Sequence, residues 1–140
     1  MKILFTVLCF CLFIGLAEQT FGQGGGKAEP NRISFKRGAT SATVSGNLKS
    51  GEQMEYIFAA TKGQAVSLKI VSSPKGRFHY FTVKGSDIDF ASDYDINYDL
   101  TFTAPESGDY FLTVHLRGTD KVKRARFSLT LTIKPATQKI

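Results

Sequence analysis

The sequence predicts an all-β protein, a single antiparallel β-sandwich of about 7–8 short strands behind a signal peptide. Three observations carry this. Apolar residues recur at every second position from Ile33 onward, turn residues punctuate the chain at short intervals, and no stretch shows a convincing helical period. No segment is long enough to supply helical crossovers, so antiparallel pairing is expected to dominate.

Met1 and Lys2 precede a nearly unbroken apolar run over residues 3–16, followed by small residues at Ala17 or at Thr20-Phe21-Gly22. A positive start, a short apolar segment and a small-residue exit describe an export signal, and the run is shorter than the roughly 20 residues a membrane-crossing helix needs. Residues 1–22 therefore read as a signal peptide, with cleavage before Gln23, and the protein as periplasmic or secreted, not membrane-spanning. Both cysteines, Cys9 and Cys11, lie inside this segment, behind Leu8 and Phe10, side chains too large for a lipoprotein signal. The exported chain thus has no cysteine and no disulfide. Residues 23–31, Gly-rich and without period, read as a flexible leader, residues 32–135 as the sandwich and residues 136–140 as a tail.

The strands follow in order. Residues 42–48 alternate weakly. Tyr56, Phe58 and Ala60 form an apolar face, as do Val66, Leu68 and Ile70. Residues 77–84 and 98–104 are further weak candidates. Tyr110, Leu112, Val114 and Leu116 face one way and Phe111, Thr113, His115 and Arg117 the other; Phe127, Leu129, Leu131 and Ile133 interleave with Ser128, Thr130, Thr132 and Lys134. Turns are expected at residues 49–51, 62–63, 73–76, 84–86 and 105–108.

Little here supports catalysis. The two histidines, His79 and His115, fall in separate strands, partly in solvent, with no cysteine or second histidine at metal-ligand spacing. There is no Gly-x-Ser-x-Gly turn and no Gly-rich loop opening a helix. The chain is read as a binding protein, not an enzyme, and no cofactor is expected. Asp87, Asp89, Asp93 and Asp95, with Asp99 beyond them, form an acidic segment interleaved with Phe90, Tyr94 and Tyr98. Carboxylates at i and i+2 can face one cation, so these four are calcium candidates, although the EF-hand order is absent. A charged edge strand is the competing reading.

The net charge of +6 conceals a separation. From Gly85 to Leu116 there is no lysine or arginine, while Arg117, Lys121, Lys123, Arg124 and Arg126 crowd the turn between the two strongest strands. A protruding cationic turn suits an acidic cleft or a polyanionic surface. Nucleic-acid binding would need stacking aromatics on the same face, and export argues against that partner.

Several fragments run in a recognisable order: Phe35-Lys36-Arg37-Gly38, residues 41–46 (SATVSG), Tyr56-x-Phe58-x-Ala60-x-x-Gly63-Gln64 and Pro105-x-Ser107-Gly108-x-Tyr110, then the closing alternation. In these the chain resembles the periplasmic inhibitors of goose-type lysozyme and, more broadly, bacterial pre-peptidase C-terminal β-sandwich domains. The resemblance implies a protein partner, a goose-type lysozyme, whose active-site cleft is plugged by protruding loops. It places the contact residues in two loops. Gly51, beside Glu52, stands where the inhibitors carry a tyrosine; Arg117 lies within a residue of their first arginine, and Lys121 to Lys123, followed by Arg124, stand near the second, with spacing shifted by a shorter loop. Lysine keeps the charge but not the planar, bidentate guanidinium. The alternative is a generic sandwich module binding glycan, an envelope protein or calcium. Nothing in the sequence sets the oligomeric state.

Overall fold

The computed structural model describes residues 29–91 and 99–136; the expected signal peptide, most of the expected leader, Asp93, Asp95, Tyr94, Tyr98 and residues 137–140 lie outside it. Among the described residues there are nine strands and no helix: β1 (Asn31–Arg32), β2 (Ser41–Lys49), β3 (Gln53–Ala60), β4 (Ala65–Ser73), β5 (His79–Gly85), β6 (Ile88–Ala91), β7 (Asp99–Thr103), β8 (Gly108–Leu116) and β9 (Arg124–Lys134). They form a five-stranded sheet, β1-β3-β8-β5-β6, and a four-stranded sheet, β2-β9-β4-β7. All pairings are antiparallel except β1 with β3.

The alternation expected from the sequence is the alternation of burial. Tyr56, Phe58, Phe81, Val83, Tyr110, Leu112 and Val114 line the inner face of the larger sheet, against Val66, Leu68, Ile70, Phe127, Leu129 and Leu131 from the smaller. Aromatic contacts tie the sheets together. Tyr56 meets Phe127 edge-on with centroids 6.5 Å apart, and Phe102 lies 5.9 Å from Tyr110.

One strand escapes the sequence reading: β1 begins at Asn31, a residue assigned to the leader, and both its residues are exposed. β6, within the acidic segment, is the edge of the larger sheet, as the charged-edge reading of that segment has it. Asp87 turns the β5–β6 hairpin in a left-handed conformation (φ 59°), which aspartate tolerates better than most residues. Asp89 sits opposite Lys84, with an ion pair at 3.7 Å.

The resembling motifs have local explanations at one end of the sandwich. In the β3–β4 turn, Gln64 Oε1 accepts from Thr61 N–H at 2.7 Å, and Gly63 N–H donates to Ala104 O at 2.9 Å. In the β7–β8 turn, Ser107 Oγ accepts from Lys62 N–H at 2.8 Å, and the Tyr110 hydroxyl donates to Glu106 O at 2.5 Å. Tyr110 is almost wholly buried. Tyr110→Phe should therefore cost about 1–2 kcal/mol by leaving that carbonyl without its donor, read as a lower urea midpoint at unchanged slope.

Candidate functional site

The opposite end of the sandwich gathers three connections, each crossing from one sheet to the other: residues 50–52 between β2 and β3, residues 74–78 between β4 and β5, and residues 117–123 between β8 and β9. Backbone hydrogen bonds stitch them together. Ser50 N–H donates to Lys123 O at 2.8 Å, Gly51 N–H to Leu116 O at 3.2 Å, Leu116 N–H to Glu52 O at 3.3 Å and Arg117 N–H to Phe78 O at 2.9 Å. Gly51 and Glu52, 65 or more positions from Arg117 in sequence, thus lie against the basic turn.

Each loop is locally determined. Gly51 takes φ +83°, and the Glu52 carboxylate accepts the Lys49 N–H at 2.7 Å, closing the short turn. The space around a Cβ at Gly51 is open, so a tyrosine would fit there sterically but in a conformation costing about 1–2 kcal/mol. Thr119 and Val122 close the longer loop. Thr119 N–H donates to Val122 O at 2.8 Å, and Thr119 Oγ1 accepts from Val122 N–H at 3.0 Å. Val122 packs against the core, which leaves Lys121 and Lys123 exposed on either side of it. Gly118 is the contact point between the loops. A Cβ there would lie 2.5 Å from Ser50 Oγ and 2.8 Å from both Ser50 Cβ and Val122 O.

Arg117, Lys121, Lys123 and Arg124 are all exposed, with Asp120 the acid among them. The middle loop adds Lys75 and Arg77, both exposed. From the sequence, residues 73–76 read only as a turn; Lys75 within it and Arg77 just beyond it are the signal of a charged loop. The tip is an exposed cationic surface.

Beneath it lies a correction. His79, expected partly in solvent, is 1% exposed at the start of β5. It occupies an inward position in line with Phe81 and Val83, its Nδ1 shares a 2.6 Å hydrogen bond with Ser72 Oγ, and its ring meets Phe127 edge-on at 5.4 Å. Its Nε2 is buried without a hydrogen bond of good geometry. Burial pushes its pKa below the ordinary 6.5, opposed in part by the Ala125 backbone. His115, half-buried and stacked on Tyr80 at 4.4 Å, shifts the same way, again through burial, opposed by Glu55. Both folded-state values lie below the unfolded one, so the unfolded chain binds more protons in acid. Stability is fully present above pH 6.5 and is lost as pH falls through that value toward the depressed pKa. The melting temperature should fall between pH 7 and pH 5, and His79→Phe should flatten that slope; an unchanged slope would remove His79 from the account.

Of the calcium candidates, Asp87 occupies a turn, Asp89 faces Lys84, and Asp93 and Asp95 lie outside the described residues. No group of three or more potential metal-ligating acids, histidines or cysteines assembles among the described residues, and no helix among them is long and apolar enough to cross a membrane.

No protein-family model matches the chain, and neither does any curated protein. Solved structures do. The Salmonella Typhimurium PliG, a periplasmic lysozyme inhibitor of g-type lysozyme, is 29% identical over 77% of this chain and 100% of its own, with a TM-score of 0.60. The Aeromonas hydrophila PliG, of the same description, is 22% identical over 75% of this chain and 96% of its own, with a TM-score of 0.61. The pre-peptidase C-terminal domain of a Bacillus anthracis collagenase shares the fold at 18% identity and a TM-score of 0.52, covering 78% of this chain and 98% of that domain. The chain is thus a β-sandwich similar to the periplasmic inhibitors of g-type lysozyme and, in fold, to the pre-peptidase C-terminal domain.

Proposed function

We propose that this is an exported, non-catalytic protein that inhibits a g-type lysozyme by seating its cationic tip in the enzyme's active-site cleft. One observation carries the reading: the β2–β3 and β8–β9 loops, which the resemblance names as the contact loops, are hydrogen-bonded to each other at one end of the sandwich. The likeness to the PliG structures supports it. A lysozyme cleft carries a catalytic carboxylate, and a lysine or arginine delivered there as water leaves makes a charge-assisted hydrogen bond that blocks both acid and substrate. In this reading Arg117, Lys121, Lys123 and Arg124 supply the cations, with Gly51 and Glu52 in the adjoining loop. The periplasmic or secreted location rests on the apolar run at residues 3–16 and on the descriptions of the similar structures.

Titration of a g-type lysozyme with the purified exported chain should give saturable loss of lytic activity on bacterial cell walls at micromolar inhibitor or below. Full activity at that concentration would overturn the reading.

A further inference from the structure

We propose that the outer face of the four-stranded sheet is a second binding surface, separate from the tip, and that it takes an anionic polysaccharide. The strand register sets hydroxyl groups in rows. Ser41, Thr132, Ser67 and Thr101 are adjacent across β2, β9, β4 and β7. At a strand spacing of about 4.8 Å the row spans about 14 Å. Thr43 and Thr130 begin the next row, and Ser45 and Ser128 the one after. The hydroxyls pair across the strands, Ser41 with Thr132 at 2.7 Å, Thr43 with Thr130 at 3.0 Å and Thr101 with Ser67 at 3.4 Å. Each pair uses one O–H internally and leaves the other hydroxyl hydrogen and several lone pairs for a ligand.

Lys69 and Lys134 flank the four-strand row, each two residues from it along its strand, about 7 Å away. With Ser67, Thr101 and Thr132 they line a shallow depression of about 520 Å³. Arg126 and Lys49 continue the positive charge along β9 and β2 up to the tip, and Asp99, directly opposite Lys69 in the register, is the one carboxylate this face carries among the described residues. The ion pairs Arg32–Asp109, Lys62–Glu106 and Lys84–Asp89 use none of these cations, and in the register Lys134, Arg126 and Lys49 have no acid opposite them. With Lys49, Lys69, Arg126 and Lys134 against Asp99 alone, the described part of the face is a donor-rich strip of net positive charge.

Its shape and chemistry select the ligand class. A row extending over four strands suits a polymer better than an isolated ion. Among the described residues the face has no aromatic ring on which bases would stack, and Val71 is its one large apolar side chain, too little to enter a lipid layer. Hydroxyl rows between lysines match a chain that is itself hydroxyl-rich and carries regular negative groups.

Binding is tested with dextran sulfate as probe and neutral dextran as control. Salt-sensitive binding to dextran sulfate alone is expected. Lys69→Gln with Lys134→Gln should weaken it about tenfold. Ser67→Ala with Thr132→Ala, which leaves the charge unchanged, should weaken it several-fold, and both variants should keep the parent melting temperature. The proposal is overturned by absence of binding, by loss on Lys121→Gln with Lys123→Gln instead, by an unaffected hydroxyl variant, or by equally tight binding of duplex DNA or anionic vesicles.

Discussion

Reversing the charge at the apex of the β8–β9 loop, with Lys121→Glu and Lys123→Glu together, is expected to raise the concentration for half-inhibition of a g-type lysozyme about 100-fold or more. Removing one member of a charge pair that is desolvated in a complex costs about 2–5 kcal/mol, and reversal adds repulsion from the cleft's own acids. The fold should not notice. Both side chains are exposed, and the loop is closed by the Thr119 and Val122 backbone and by Thr119 Oγ1, none of which changes. The melting temperature should stay within about 2–4 °C of the parent. Inhibition kinetics with the parent and the double variant read the effect, and rising salt should slow association for the parent more than for the variant. Parent-like inhibition by the reversed protein would mean that the tip does not act through its charge.

The second large effect is on stability. Phe127→Ala should cost about 3–5 kcal/mol, much of the roughly 5–15 kcal/mol that holds a domain of this size together. Phe127 is fully buried in β9, where it meets Tyr56 of the opposite sheet edge-on and the His79 ring at 5.4 Å. Truncation removes the ring that joins the sheets just below the tip. It also opens a cavity beside the buried His79 ring. No disulfide can compensate, since the cysteines are at positions 9 and 11. A fall in the denaturant midpoint at unchanged slope reads the effect. A loss under about 1 kcal/mol would contradict the packing of β9 against the larger sheet.

The parts of the fold legible in the sequence are those where one face of a strand is buried and the other wet. Phe127, Leu129 and Leu131 announce β9 because the sandwich buries every second residue there. β1 gives no such signal: Asn31 and Arg32 are held by backbone bonds to β3 and by the Arg32–Asp109 ion pair at 2.7 Å, with neither residue buried. β6 is legible only through its charge: an edge position tolerates Asp89 facing water, which is what a charged edge strand requires. His79 misled for the opposite reason. A polar residue took an inward position because Ser72, seven residues earlier, returned on the neighbouring sheet to bond it. The cationic residues of the tip were legible as a cluster, whereas their meeting with Gly51 was implied by the resemblance alone. That contact depends on β2 pairing with β9 while β3 pairs with β8, non-local choices that no local pattern of residues encodes.

Each loop of the tip is a bridge between the two sheets, fastened to strand ends or to another loop by main-chain hydrogen bonds. The conformational entropy of holding these residues in place is therefore spent during folding and is not charged again on association. A partner meets a surface already in its bound shape, so substitutions at the exposed cations should alter how long a complex lasts far more than how its backbone is arranged. The tip behaves as a rigid extension of the sandwich, and exchanging its side chains changes what it grips without rebuilding what holds it.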